Sequence, residues 1–144
     1  MRYQVGKVKR VVVARFEDGE DVLKGIRDIA KRENIRSAVL YLLGGMGQGK
    51  IVVGPEKEEI PPTPVWRELR ESHEVLGLGT IFWEKEEPKV HFHGAFGKRD
   101  TVRVGCLREI SKTFLIIEAI IMEIEGIRAG REFDPQSGLT LLKL

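Results

Sequence analysis

One stretch of helical periodicity constrains the fold of this chain more than any other feature, because its other apolar segments favour strands. Apolar residues recur at the spacing of one helix face at Val22, Leu23, Ile26, Ile29 and Ala30. Acidic residues gather just before this pattern, where they favour the positive end of a helix dipole, and Asp18 is the expected N-cap. Asn34 is the expected left-handed stop. The sequence therefore predicts one main helix at about residues 19–33.

The other apolar segments are short, rich in β-branched residues and bounded by glycine or proline, a pattern typical of strands. Strands are predicted at residues 3–16, 37–43, 50–53, 74–83, 89–96, 101–107, 113–125 and 139–142. Residues 66–71 are expected to add a helical turn. Together these elements predict an α+β fold, with a largely antiparallel sheet, one main helix and one or two minor helical turns. With 144 residues and no internal repeat, the chain is expected to form a single domain over residues 1–144.

Composition excludes several classes of protein. Lys and Arg number 24 against 22 Asp and Glu, and the resulting net charge of +2 gives no electrostatic argument for a nucleic-acid or membrane partner. The single cysteine excludes an internal disulfide, and no apolar leader follows the charged N-terminus, so a cytoplasmic protein is expected. No apolar run is long enough to cross a bilayer. Few amide side chains beside many Glu, Lys, Arg and Ile favour a thermophilic host.

Two further patterns have ordinary structural interpretations. The run from Gly44 to Lys50 has the spacing of a phosphate-binding loop, but Ile51 replaces the Ser or Thr that would hold magnesium. The residues after it predict a strand rather than a helix, so a flexible turn between strands is the preferred interpretation. Alternation with acidic residues indicates a solvated surface of mixed ion pairs for the arginines Arg67, Arg70, Arg99, Arg103 and Arg108.

The run His91-Phe92-His93 and the later Cys106 form the one cluster with metal-binding chemistry. Side chains alternate along a strand, so the two histidines face the same way, with Cα atoms about 6.6 Å apart. If residues 97–100 form a four-residue turn, His91 lies opposite Cys106, and all three side chains share one face of a hairpin. A shift of one residue in this register would turn Cys106 away.

Two imidazoles and a thiolate are a ligand set that zinc accepts in a tetrahedral site, and three protein ligands leave a fourth position open. The alternative is that His91 and His93 are ordinary half-buried histidines and that Cys106 is a free core cysteine, as in many sheets. Both interpretations stay open at the level of the residues.

Several motifs together resemble a known family. An Arg-x-x-x-Gly-Glu-Asp segment opens the helix at residues 15–21, a Glu-led strand covers residues 74–81, and a Glu-bearing apolar strand at residues 118–121 precedes Arg131. With the His-x-His pair, this pattern is similar to the PPC domain (plants and prokaryotes conserved domain) over about residues 3–143. Stand-alone prokaryotic members of the family are the nearest type.

The chain departs from the family pattern at one informative position. Where the family carries Gly-Gly-His-Leu, this chain has Val104-Gly105-Cys106-Leu107, so Cys106 takes the place of a third histidine. A cysteine in a ligand's position is a replacement that zinc accepts. The resemblance therefore raises the expectation of a zinc site formed by His91, His93 and Cys106.

The resemblance also implies an assembly and a set of neighbours for the site. Members are usually homotrimers with the histidine cluster near subunit contacts, so a homo-oligomer, with a trimer favoured, is expected. The family-matched positions Arg15, Glu74, Glu118 and Arg131 are candidates to surround the metal or a small anionic ligand. Among them, Glu74 is expected to orient a ligating histidine or a bound water.

Three functions stay open from the sequence. The first is a metal-binding homo-oligomeric module, and the second is a zinc-dependent hydrolase or lyase with Glu74 or Glu118 as general base. The third is a DNA-binding or transcription-linked protein. In plant members an AT-hook with an Arg-Gly-Arg-Pro core binds the DNA, and this chain lacks that core. The resemblance therefore supports DNA binding least.

Overall fold

The computed structural model describes residues 1–144 and contains eight strands and one helix. In chain order the elements are β1 (Lys7–Glu17), α1 (Val22–Arg32), β2 (Ser37–Pro55), β3 (Pro64–Leu69), β4 (His73–Glu84), β5 (Glu87–Lys98), β6 (Thr101–Glu125), β7 (Gly130–Asp134) and β8 (Leu139–Lys143). Strands hold 67% of the residues and the helix 8%. The α+β prediction is therefore wrong, and the chain is a largely antiparallel β protein. Segments predicted as turns pair as strands instead.

The helix is shorter than predicted because its cap lies further along the chain. Asp21 caps α1 by accepting a hydrogen bond from the Lys24 amide at 3.0 Å. Asp18, the predicted cap, instead accepts a hydrogen bond from the Leu115 amide of β6 at 2.8 Å, which ties the start of the helix to the sheet. Asn34 has a φ of +51°, which confirms the predicted left-handed stop.

The two longest strands, β2 and β6, carry most of the pairing. β6 runs antiparallel to β2 along nearly its whole length, while the first half of β2 also pairs with β4 and the second half with β3. β6 pairs on its other side with β5 and then with β1. Since β4 also pairs with β5, the pairings β2–β4–β5–β6–β2 close into a circuit.

The glycine-rich segment lies inside β2, so the predicted turn at Gly44 to Lys50 is wrong. Gly44 has a φ of +135°, and a Cβ there would lie 2.3 Å from the carbonyl oxygen of Ile116 on β6. Glycine lets β2 approach β6 closely where their register shifts. Residues 66–71, predicted as a helical turn, lie largely in β3.

The inner face of the circuit packs with α1 into the hydrophobic core. Phe92 and Phe96 on β5 are fully buried there, together with Ile26 on α1. Because side chains alternate along β5, His91 and His93 point to the opposite, outer face. Burying the even-numbered residues of this strand therefore fixes the orientation of both histidines.

The β7–β8 hairpin forms a separate two-stranded sheet that contacts β4 beside the outer face. Arg131 on β7 donates a hydrogen bond to Thr80 Oγ1 at 3.2 Å, and Thr80 lies directly opposite His91. The hairpin therefore carries Arg131 to the histidine cluster. The single helix has eleven residues, and it is neither long nor apolar enough to cross a bilayer.

Candidate metal centre

The hairpin that carries the cluster is tighter than predicted. Lys98 pairs with Thr101 across a two-residue turn, and this register puts His93, not His91, opposite Cys106. The predicted register is therefore wrong by two residues. A shift of two residues preserves the alternation of faces, so His91, His93 and Cys106 still share the outer face.

The three side chains converge on one point. Their ligand atoms all lie within 4.8 Å of one another, and the Nε2 atoms of His91 and His93 are 3.0 Å apart. The two imidazole rings meet edge to face, with centroids 4.8 Å apart and an angle of 79° between their planes. A tetrahedral zinc with ordinary bond lengths needs N···N separations of about 3.3 Å and N···S separations of about 3.6 Å. Small side-chain movements are enough to reach that geometry, so the donor set fits zinc.

Burial controls the protonation of the cluster. Burial, with a smaller contribution from the nearby charges of Arg131, His93 and Arg108, lowers the pKa of His91 to about 4. Burial also raises the pKa of the Cys106 thiol, although Arg108 and Arg131 act in the opposite direction. At neutral pH the His91 imidazole is therefore neutral and has a lone pair available to a metal, whereas the thiol releases its proton only when a metal binds.

Two arginines flank the cluster without acidic partners. Arg131 is held by its hydrogen bond to Thr80 and lies 5.9 Å from the centre of the Phe82 ring. Arg108 forms no ion pair, and the adjacent Glu109 pairs with Lys50 at 2.8 Å. The outer face at this point therefore carries positive charge that the chain itself does not neutralise.

The sequence pattern assigns Arg108 to a solvated surface, whereas the structure places it beside the cluster. It follows Cys106 by two residues on the same strand, so strand alternation puts both on the same face. That spacing is the signal that could have identified it. Thr80 lies opposite His91 on the neighbouring strand, so its position could be found only by knowing that β4 pairs with β5 and in which register.

An open cleft of about 610 Å³ adjoins the cluster. Its lining includes His93, Cys106 and Arg108, and the rest is mainly apolar, with Val52, Pro62, Pro64, Trp66 and Leu139. A second cleft of about 360 Å³ lies beside His91 and also contains Arg108 and Arg131. The candidate metal centre is thus reachable from solvent on the side where both arginines lie.

Of the four residues expected around the site, the structure brings only Arg131 to it. Glu74 faces outward on β4, where it pairs with Gly97. The partner of His93 on β4 is Leu78, four residues further along the strand, and four residues of strand correspond to about 13 Å. Within one chain, Glu74 therefore does not reach either histidine.

The other two candidates lie further away. Arg15 and Glu118 are directly opposed on β1 and β6, and Glu118 is separated from the β5 strand by β2 and β4. Three strand spacings correspond to about 14 Å. Neither side chain contacts the cluster in the same chain, and Arg15 pairs with Glu17 instead.

Comparison with known proteins gives the family. The profile of the Plants and Prokaryotes Conserved (PCC) domain matches residues 3–125. The chain belongs to the PCC domain family. This confirms the resemblance seen in the sequence, and a comparison with curated protein sequences finds no match.

Two solved structures share the fold along the whole chain. A metal-containing protein from Archaeoglobus fulgidus is 25% identical with a TM-score of 0.86, and the alignment covers 100% of both chains. A plant- and prokaryote-conserved (PPC) protein from Pyrococcus horikoshii is also 25% identical, with a TM-score of 0.85 and coverage of 100% of this chain and 98% of the other.

A third structure, from Ralstonia eutropha, is described as that of a candidate DNA-binding protein. It is 21% identical with a TM-score of 0.76, and the alignment covers 92% of this chain and 90% of the other. At that identity the likeness shows the shared fold alone.

Proposed function

We propose that this PCC domain binds one zinc ion through His91, His93 and Cys106, with a fourth position open to a small ligand, and that it works as a homo-oligomer. The observation that carries the proposal is the convergence of two imidazole nitrogens and a thiol within 4.8 Å at the mouth of a cleft. The metal-containing relative from Archaeoglobus fulgidus supports a metal in this fold.

Each residue of the site has a defined part in such a centre. His91 is neutral at pH 7, and His93 lies opposite Cys106, so hairpin pairing sets the spacing of the nitrogen and sulfur ligands. Arg108 and Arg131 stabilise the thiolate form of Cys106 by charge. A bound zinc would supply a Lewis-acidic position at the mouth of the cleft.

The proposed subunit contact is the outer face of the sheet. Large apolar side chains are exposed there side by side, and Leu76, Leu78 and Val104 are each more than half exposed at 68%, 51% and 63%. Leu78 lies directly opposite His93, so this apolar surface reaches the proposed zinc site. Contiguous apolar surface of this kind marks interaction sites, and the family resemblance favours a trimer.

The enzyme alternative has less support from the geometry. The two glutamates considered as general bases are Glu74 and Glu118. Glu74 lies four residues along β4 from the partner of His93, and β2 and β4 separate Glu118 from β5. A general base must lie within hydrogen-bond reach of the proton that it accepts, directly or through one water. A binding role therefore agrees better with the arrangement of the chain.

Zinc content of purified variants tests the metal centre. Metal analysis of wild-type protein should find one zinc per chain, and His91→Ala should abolish stoichiometric zinc. Removing a residue that only supports a metal ligand lowers metal affinity by roughly 10–100-fold. Cys106→Ser removes a ligand atom itself, so it should weaken zinc binding by more than that. His73→Ala is the matched control, because His73 lies at the start of β4 and its ring contacts the Glu71 carbonyl instead.

The result that would overturn the metal centre is equal zinc in wild type and His91→Ala. Circular dichroism of each variant shows whether the sheet is intact, so that loss of zinc is not confused with loss of fold.

A further inference from the structure

The cleft beside the cluster has two chemically different ends. At one end Arg108 meets His93 and Cys106, and Arg131 lies in the adjoining cleft that shares Arg108. The rest of the lining is mainly apolar and includes Trp66, which lies two strands from Cys106 in the cross-strand row that runs through Val52. A ligand that fills the cleft must therefore match positive charge at one end and apolar surface at the other.

The charges at the polar end require an anion. A zinc ion bound to one thiolate and two neutral imidazoles has a net charge of +1, and the two arginines raise the local sum to +3. No carboxylate neutralises them, because Glu109 pairs with Lys50, and Arg131 donates its hydrogen bond to the uncharged Thr80. A carboxylate can bind the open zinc position and accept hydrogen bonds from a guanidinium at the same time.

The apolar end selects the rest of the ligand. Trp66 is 38% exposed, and Lys50 lies 4.5 Å from the centre of its ring, on the indole face. A second apolar group against Trp66 and the prolines would remove this surface from water, which favours binding in proportion to the apolar area buried. A fully hydrophilic anion such as inorganic phosphate would gain only the charge interactions.

We propose that the cleft binds a small amphipathic monocarboxylate, with its carboxylate at the open zinc position and Arg108 and its apolar or aromatic body against Trp66. The inference rests on the proposed function, because the metal supplies part of the positive charge. It extends that function by naming the ligand class and by assigning the anion to Arg108 and its body to Trp66.

Calorimetry with three probes tests the class. On zinc-loaded wild-type protein, benzoate should bind at least about tenfold tighter than acetate, since burying an aromatic ring is worth that much or more. Benzyl alcohol, which keeps the ring but lacks the charge, should bind more weakly than benzoate. Equal affinity for benzoate and acetate, or tighter binding of benzyl alcohol than of benzoate, would overturn the inference.

Variants assign the two ends of the cleft. Arg108→Gln should weaken benzoate at least about tenfold, and Trp66→Ala should remove the preference for benzoate over acetate. Arg103→Gln is the matched control, since Arg103 is an exposed arginine on the same strand, opposite Phe96 and outside the cleft that holds Cys106. If Arg108→Gln binds benzoate as tightly as wild type does, the assignment of the anion to Arg108 is wrong.

Two measurements separate this inference from the proposed function. Zinc content is determined for every variant. Trp66→Ala removes neither a ligand atom nor a charge, so it should retain zinc. Arg108→Gln keeps the three ligand atoms but loses a charge that favours the Cys106 thiolate, so it is loaded with zinc and compared with wild type at equal zinc content. In cobalt-substituted protein, benzoate should change the visible absorption of the metal, which a carboxylate bound elsewhere would not do. If wild type holds no zinc, the proposed function fails. The inference is then decided on metal-free protein by the Arg108-dependent preference for benzoate, and absence of that preference overturns it.

Discussion

Leu78 on β4 lies directly opposite His93 on β5, so an exposed leucine is the immediate neighbour of the proposed zinc site. The same cross-strand row continues from Leu78 to Tyr41 on β2 and Ile120 on β6. On its other side His93 is opposite Cys106. The metal centre and the apolar outer face are therefore parts of one continuous surface, and subunit association is expected to affect the site.

Leu78→Glu should weaken self-association by at least about tenfold, because it puts an unpaired charge into an apolar contact. Light scattering across a range of protein concentrations measures the change in mass. Phe133→Glu is the control, since Phe133 is also exposed but lies on β7, outside the main sheet. A monomeric wild type, or equal masses for both variants, would contradict the proposed contact.

The buried carboxylate of Glu123 should make stability depend on acidic pH. Burial alone would raise the pKa of Glu123, but hydrogen bonds from Arg10 and Lys9 outweigh it, and the net pKa is lowered. A lowered pKa means that the unfolded chain binds the proton more readily, so stability is present at neutral pH and is lost as pH falls below the ordinary glutamate range.

Glu123→Gln tests this dependence. At pH 7 the variant should have a free energy of unfolding lower by about 1.5–3 kcal/mol, the value of hydrogen bonds to a charged group. The difference from wild type should shrink as the pH falls below 4.5, the ordinary value for glutamate. Urea unfolding at several pH values measures both, and a difference that is constant with pH would disprove the role of the ionised carboxylate.

Substituting two glycines of β2 distinguishes the cost of backbone strain from the cost of a steric clash. Gly44 and Gly54 have nearly equal φ values of +135° and +134°, but only Gly44 faces a backbone atom, the Ile116 carbonyl oxygen, at 2.3 Å from a Cβ position. Gly54→Ala should cost about 1–3 kcal/mol of unfolding free energy from strain alone. Gly44→Ala should cost clearly more because β6 must also move. Equal losses in thermal or urea unfolding would show that the close approach to β6 contributes nothing.

Much of the site could be predicted from the sequence because strand alternation is insensitive to even shifts of register. His91, His93 and Cys106 share a face whether the turn has four residues or two. The fold was predicted less well at Gly44, where glycines that look like a turn allow one strand to bend. The distances of Glu74 and Glu118 from the cluster could not be predicted, because they depend on which strands are neighbours and local sequence does not contain that information.

DNA binding by the isolated chain should be weak. The net charge is +2, and exposed basic side chains such as Lys7, Lys24 and Arg70 pair with nearby carboxylates. Few phosphate contacts mean a small salt dependence and low affinity. The fluorescence anisotropy of a labelled DNA duplex should not rise at nanomolar protein concentration in about 0.15 M salt. Sequence-specific binding under these conditions would contradict this expectation.

Replacing Cys106 by histidine should preserve the metal centre, while replacing it by alanine should not. The family pattern carries histidine in this position, and an imidazole is as acceptable to zinc as a thiolate. Cys106 faces the open cleft beside His93, so the larger ring has space on that side. Zinc titration should therefore give one zinc per chain for Cys106→His, with affinity within about tenfold of wild type, and a much weaker site for Cys106→Ala. The cobalt-substituted histidine variant should also lose the thiolate-to-metal absorption band. If Cys106→His and Cys106→Ala bind zinc equally, Cys106 is not a ligand, and the two histidines alone would have to account for any metal found.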